Sequence, residues 1–236
     1  MSKHLMALAG LTVLLASAAG PALAGDITGT VTYTGKVPNL KPIAMNADPA
    51  CASKHTGPVP SEALVLGPAN AMANVMVRVK GPVQGSFPAP AKPVVIDQKG
   101  CQYHPHVLGI RVGQTLQLKN SDGLLHNVHA LPKVNTPFNM AMPANRTTAD
   151  TKFGKEEGMF LVKCDVHPWM SAYVGVFSNP FYTVSGKDGK YKISGLPPGN
   201  YEIEAWHEKL GVKSAKVTVA ANKPGAANFS FAPPSK

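Results

Sequence analysis

The stretch that decides how this chain is read runs from Met159 to Met170: Met-Phe-Leu-Val-Lys-Cys-Asp-Val-His-Pro-Trp-Met. Residues 159–163 are mostly bulky and apolar, the composition of a strand with a buried face. Cys164, His167 and Met170 then recur at every third position on a loop stiffened by Pro168. A thiol, an imidazole and a thioether at a strand end are three donors that can fold back around one ion. A second imidazole is available upstream. Asn120-Ser121-Asp122-Gly123-Leu124-Leu125-His126-Asn127 presents His126 behind a polar turn. The competing reading makes Cys164 a buried thiol and His167 a surface residue, with Met170 and the His126 turn as coincidences.

Outward from this stretch the chain reads as short strands separated by turns. Ile27–Tyr33 is rich in β-branched residues; Val75, Val77 and Val79 alternate with Met76, Arg78 and Lys80. Val107–Val112, Gly113-Gln114 and Thr115–Lys119 read as a hairpin-like pair. His126–Ala130, Met159–Cys164 and Ala172–Phe177 are further strands. No dozen-residue window carries a helical period outside the first 24 residues. Residues 132–156 are polar and read as a long excursion with at most one short element. The composition changes near Asn179-Pro180. Beyond it, Gly186-Lys187-Asp188-Gly189-Lys190-Tyr191 and Gly195-Leu196-Pro197-Pro198-Gly199-Asn200-Tyr201 are turns feeding strands.

Charged residues make up 15% of the chain, below the roughly 25% of an average globular protein. The 44% of apolar residues suffices for a core and excludes wholesale disorder. The 22 prolines, scattered along the chain, exclude a long coiled coil, and the 22 glycines lack the collagen period. Residues 1–24 read as an export signal: Lys3 and His4, an apolar run from Leu5 to Ala19, and Ala22-Leu23-Ala24 before Gly25. That run is too short for a membrane span, and no second one of 18 residues follows. The expected location is the periplasm, with a chain that does not span a membrane. In an oxidising compartment Cys51, Cys101 and Cys164 cannot all pair within one chain. The leftover is a free thiol, an intermolecular disulfide or a metal ligand.

Residues 75–178 resemble the cupredoxins, closest to the amicyanin and plastocyanin type. The features that carry the resemblance are Cys164-x-x-His167-x-x-Met170 and the order Val112-Gly113-Gln114-Thr115, Asn120-Ser121-Asp122, His126-Asn127. The resemblance implies a Greek-key β-sandwich holding one type 1 copper through His126, Cys164, His167 and Met170, the donor set of a blue-copper site. It also implies that Asn127 ties the His126 strand to the Cys164 loop, and that Trp169 lies near an exposed His167. With Cys164 on metal, Cys51 and Cys101 are left to pair in a disulfide, the alternative being two free thiols. In multicopper oxidases and copper nitrite reductases, histidines flank the cysteine; here Lys163 and Asp165 do, so a carrier is expected and not an enzyme.

The tail and the Ile27–Val31 opening resemble carboxypeptidase regulatory-like and transthyretin-like β-sandwiches. The expected fold class is therefore all-β: a cupredoxin sandwich plus a small sandwich built from flanking or C-terminal strands. The expected division is 25–60 as an N-terminal segment packing with the C-terminal module, 61–180 as the copper domain, and 181–236 as that module. His55, His104, His106 and His207 are candidates for a second metal site, set against ordinary structural roles. The formal net charge of +10 favours a redox partner with an acidic surface. Nucleic acid is not expected for an exported chain, and the sequence does not specify an oligomeric state. The alternative function is copper binding and delivery without electron transfer.

Overall fold

The computed structural model describes residues 24–221 and 223–233; residues 1–23, within the expected export signal, lie outside the described residues. The chain is all-β. Its strands are β1 (Gly25–Tyr33), β2 (Met76–Lys80), β3 (Val94–Lys99), β4 (Gln102–His104), β5 (Val107–Arg111) and β6 (Thr115–Asn120). They continue with β7 (His126–Ala130), β8 (Phe138–Met142), β9 (Thr148–Lys152), β10 (Glu157–Lys163), β11 (Ser171–Phe177) and β12 (Tyr182–Val184). The tail adds β13 (Lys190–Leu196), β14 (Gly199–His207), β15 (Gly211–Val219), β16 (Gly225–Ala226) and β17 (Phe229–Phe231). Among the described residues a short helix, α1 (Pro49–Ala52), and a 3-10 turn at Pro68–Asn70 interrupt the pattern.

The first sandwich packs the sheet β5-β11-β10-β7-β8 on the sheet β4-β3-β6-β9. Alternate residues of these strands, among them Ile96, Leu116, Leu118, Val162, Val174 and Val176, close one core that also holds Cys51, Cys101, Cys164 and Met170. The second sandwich packs β13-β1-β16, with β17 also on β1, against β12-β2-β14-β15. The first sandwich is thus an insertion between β2 and β12. Those two strands pair antiparallel, Tyr182 opposite Arg78 and Val184 opposite Met76, and close the insertion at its base.

Four features depart from the sequence reading. Val107–Val112 and Thr115–Lys119 do not form a hairpin: β5 pairs parallel with β11, and β6 parallel with β3. The turn between them carries the chain across from one sheet to the other. Gln114 stabilises this crossing, its Oε1 accepting from Arg111 N at 3.1 Å and its backbone N–H donating to Arg111 O at 3.0 Å. Residues 132–156 contain two strands, β8 on β7 and β9 on β6. Met76–Lys80, placed by sequence in the span 61–180 of the copper domain, pairs with β14 in the second sandwich. Its two faces are both covered, the valines by the second core and Met76 by the contact between the sandwiches. The segment 25–60 divides as well: β1 joins the second sandwich, whereas Met45 and Cys51 pack in the first core.

The contact between sandwiches is aromatic and charged. Gly109 and Gly175 are register partners on β5 and β11. A Cβ on Gly109 would lie 2.4 Å from the Tyr182 ring, and one on Gly175 would lie 2.4 Å from the Phe177 ring. Their bare backbones let Phe177 and Tyr182 lie flat across the sheet. Beside them His106 donates from Nδ1 to Ser171 O at 3.0 Å and from Nε2 to Glu208 Oε1 at 2.6 Å. Both partners only accept, so the ring carries both protons. Burial alone would lower its pKa, but the Glu208 carboxylate outweighs this and raises it, while His106 holds the Glu208 carboxyl low. A raised histidine contributes stability that is fully present below about pH 6.5 and is lost as pH rises through the folded value. The depressed Glu208 contributes above about pH 4.3 and is lost as pH falls. His106→Ala should therefore cost about 2–4 kcal/mol near pH 6, and less at pH 9. Urea unfolding at both values checks this; an equal cost at both would contradict it.

Candidate metal centre

The residues of the centre are delivered by two turns at one end of the first sandwich. Asn120 ends β6 and shapes the first. Its Nδ2 donates to Leu124 O at 2.8 Å and Met142 O at 2.9 Å, while its Oδ1 accepts from Asp122 N at 3.1 Å. Gly123, at φ +66°, supplies the left-handed residue this turn needs. The result presents Asp122 and, at the start of β7, His126. The second turn is the loop between β10 and β11. It folds back on itself through Cys164 N to Met170 O at 3.2 Å and Met170 N to His167 O at 2.9 Å. Asn127 ties the two together: its Oδ1 accepts from Asp165 N at 2.7 Å and from the Cys164 thiol at 3.2 Å.

His126, Cys164 and His167 meet in the core, with a ligand atom of each within 4.8 Å of the others. His126 is 0%, Cys164 2% and His167 2% exposed, so the donors are shielded from bulk water. His126 Nδ1 lies 2.9 Å from His167 Nδ1, and Cys164 Sγ lies 3.9 Å from the latter. The opposite ring nitrogens each meet a carboxylate: His126 Nε2 to Asp122 Oδ2 at 2.9 Å, and His167 Nε2 to Asp48 Oδ2 at 2.9 Å. Ionised carboxylates only accept, so each Nε2 carries a proton and each Nδ1 is free to offer a lone pair. Two lone pairs aimed at one another at that distance repel unless a cation lies between them. In carboxylate–histidine–metal sites a carboxylate placed as Asp122 and Asp48 are here fixes the tautomer and ring orientation of the imidazole.

Protonation follows from the same geometry. Burial would lower His126, but Asp122 and the Cys164 sulfur outweigh it and raise the imidazole to about 9. Burial would raise Asp122, yet His126 and the backbone N–H groups of Cys101 and Gly100 bring it down to about 2. The Cys164 thiol is pushed up by burial and pulled down further by His126 and by backbone N–H groups of Asn127, His167 and Val166, ending at about 7. The raised His126 therefore holds its proton at neutral pH, and the lowered Cys164 thiol ionises more readily than a free cysteine. A metal ion bound here would take the place of those protons. The donor set, two imidazoles and a thiol of lowered pKa, fits a borderline-soft ion.

An arm of the chain covers the centre. Asp48 caps α1, its Oδ1 accepting from Ala50 N at 2.9 Å, and turns its other oxygen to His167. Cys51, one turn on, is disulfide-bonded to Cys101. Closing a 50-residue loop stabilises the fold by about 4 kcal/mol in the chain-entropy account. Lys54 Nζ adds an ion pair to Asp122 at 3.4 Å. The sulfurs of Cys51 and Cys101 both lie within 4.8 Å of a His167 ring nitrogen, and Cys101 forms a similar group with Asp122 and His126.

The sequence-based candidates fall as follows. His126, Cys164 and His167 are brought together; Met170 is buried at the end of their loop, 1% exposed and bonded through its backbone to Cys164 and His167. The Trp169 ring lies 5.2 Å from the His167 ring, tilted by 48°, and donates from Nε1 to Cys101 O at 3.1 Å. The expected exposed edge of His167 is absent, because Asp48 and α1 lie over it. His55 and His104 bond to the backbone carbonyls of Gly100 and Lys99, at 2.8 and 3.2 Å. His106 is engaged by Glu208, and His207 is buried, which lowers it to about 4. Among the described residues, none of these four joins a group with metal-ligand geometry. Sequence reasoning missed Asp48 and the role of Asp122. The available signals were Asp48-Pro49 as a helix cap and Asp122 four residues before His126.

Among the described residues no helix is long and apolar enough to cross a membrane. Residues 179–229 match the family described as BOS complex subunit NOMO1-like, second beta sandwich domain. No curated protein matches the chain. Similar solved structures include a Cu(I) amicyanin variant, 20% identical with a TM-score of 0.32, covering 43% of this chain and 98% of that one. A purple cupredoxin from Nitrosopumilus maritimus is 24% identical with a TM-score of 0.30, covering 35% and 98%. A copper-containing nitrite reductase from Thermus scotoductus is 23% identical with a TM-score of 0.32, covering 42% of this chain and 25% of that one.

Proposed function

We propose that the chain is an exported, periplasmic one-electron carrier whose His126, Cys164 and His167 would hold one type 1 copper ion, with the Met170 thioether as a fourth, weak donor. The observation that carries this reading is the pair of carboxylate-backed imidazoles whose Nδ1 atoms converge at 2.9 Å beside the Cys164 thiol. Copper, when bound, supplies a one-electron couple that sulfur and imidazole suit in its two oxidation states. Asp122 and Asp48 fix the imidazole orientation, and Asn127 fixes the sulfur. Strands on both sides of the donors keep the geometry similar in both states. A carrier role and not catalysis is supported by the residues flanking Cys164: Lys163 and Asp165 are paired with each other at 2.8 Å. The basic excess of the chain suits an acidic redox partner, with salt-sensitive association.

Delivery of copper to an acceptor is the second reading, favoured by the burial of every donor beneath the α1 arm. Cycling separates the two. The loaded chain, reduced by ascorbate and reoxidised by hexacyanoferrate(III), should retain its copper through repeated cycles in the presence of a Cu(I) chelator. Loss of copper to the chelator at each reduction would contradict the carrier reading.

Metal uptake should also release protons. At pH 7 the raised His126 gives up its proton and Cys164 gives up the fraction still un-ionised, so between about one and two protons leave per ion, and affinity should rise with pH until His126 is deprotonated near 9. Calorimetric titration of the metal-free chain in buffers of different ionisation enthalpy measures this. A release near zero would contradict the protonation scheme.

A further inference from the structure

The two carboxylates behind the imidazoles differ in what surrounds them. The Asp122 side chain is 2% exposed and lies beside Lys54, whose Nζ is 3.4 Å from Oδ1, so its charge is offset locally. Asp48 pairs only with His167 among the described residues. Its Oδ1 accepts from Ala50 N at 2.9 Å and Cys51 N at 3.4 Å, and its Oδ2 from His167 Nε2 at 2.9 Å. The arm sets the position of this carboxylate, and not the contact with His167 alone. Met45, three residues before it, is packed in the first core, and Cys51, three residues after it, is bridged to Cys101. An uncompensated negative charge is thus held in place against the outer edge of one imidazole.

We propose that Asp48 is a positioning residue that acts through His167 to bias the copper couple of the proposed centre toward Cu(II), making the reduced centre a stronger electron donor. The inference rests on the reading of His126, Cys164 and His167 given above. An aspartate is ionised near neutrality, and here its charge lies across a ring that is 2% exposed. The Cys164 thiolate and the Asp48 carboxylate together match the two positive charges of Cu(II), while Asp122 is matched by Lys54. With Cu(I) one negative charge stays unmatched in a largely buried cluster, which is costly. The hydrogen bond works in the same direction. With a divalent ion on Nδ1 the ring loses electron density, so Nε2–H becomes a stronger donor and holds the carboxylate more tightly. Oxidation sends one electron to the acceptor and moves no proton, because Nε2 keeps its hydrogen in both states.

The test compares the full chain with Asp48→Ser and Asp48→Asn, which both keep a capping oxygen for α1 and remove the charge. Asp26→Asn is the control for net charge, since Asp26 pairs with Lys192 at 2.7 Å in the second sandwich. Affinity for Cu(II) is measured against nitrilotriacetate and for Cu(I) against bicinchoninate, with free thiols counted to confirm the Cys51–Cys101 bridge. Both Asp48 variants should lose Cu(II) affinity relative to Cu(I) by about tenfold, the low end of the range for an outer-sphere partner. The low end applies because the Asp48 side chain is 34% exposed and solvent screens part of its charge. Tenfold in that ratio is a rise of about 59 mV for a one-electron couple. Asp26→Asn should leave the ratio within about twofold. Equal losses of both affinities would reduce Asp48 to a helix cap, and an equal shift in Asp26→Asn would make the effect one of net charge; either overturns the proposal. The ratio needs no cycling, so a chain that surrenders its copper on reduction, ending the carrier reading, still yields it.

Discussion

Replacing Cys164 by Ser should remove the intense visible absorption expected of the proposed copper-loaded chain and weaken its metal binding by more than about 100-fold, while the protein stays folded. The substitution is close to isosteric at a site that is 2% exposed, and Asn127 Oδ1 can still accept from the hydroxyl as it does from the thiol. The structural cost is then about 1 kcal/mol, that of a modest change in a buried hydrogen bond. The chemical cost is far larger. A thiol held near 7 is readily ionised when a metal arrives, whereas an alkyl hydroxyl is not, and it offers no soft donor. Visible spectroscopy and a competition titration check both parts. A variant that keeps the absorption would remove Cys164 from the centre.

Asp122→Ala should have the second largest effect, because four groups lose their acceptor at once. Gly100 N at 2.7 Å, Cys101 N at 2.8 Å and His126 Nε2 at 2.9 Å all donate to this carboxylate, and Lys54 pairs with it. Orphaning buried donors and breaking a buried charge pair costs roughly 3–5 kcal/mol together. Freed of its partner, the His126 ring loses the interaction that sets its tautomer, and metal affinity falls 10–100-fold as for other outer-sphere losses. Since the depressed Asp122 stabilises above its ordinary pKa and fails as pH falls through about 2, the variant should also lose the acid limb of stability between about pH 4 and pH 2. Denaturant unfolding across that range and metal titration at pH 7 measure the two effects. Unchanged stability with unchanged affinity would contradict the role assigned here.

Which parts of this centre could be read from the chain alone follows from how local their signals are. Cys164, His167 and Met170 sit within seven residues, on a loop that closes on itself by backbone bonds, and their spacing is the geometry. Asn120 and His126 share one turn. Alternation in β6 and β10 is clear because one face of each meets the core. By contrast β9 is Thr-Ala-Asp-Thr-Lys, an edge strand held by pairing with β6, whose inner face is only the half-buried Ala149 and Thr151, too small and polar to write an apolar pattern. The β5–β6 turn looks like a hairpin because both flanks are strands; the partners they choose, β11 and β3, lie outside that local stretch. The cover on His167 is the extreme case. Asp48 lies 119 residues away, and nothing local to either residue records the contact. A fold-family pattern led to an exposed histidine edge, and an arm outside that pattern closes it.

The most direct test of the account is X-ray absorption at the copper edge on the full-length chain loaded with one equivalent of the metal. The account predicts two imidazole nitrogens and one short thiolate sulfur in the oxidised state, with the sulfur lost in Cys164→Ser. A shell of nitrogen and oxygen alone, unchanged by that substitution, would contradict it.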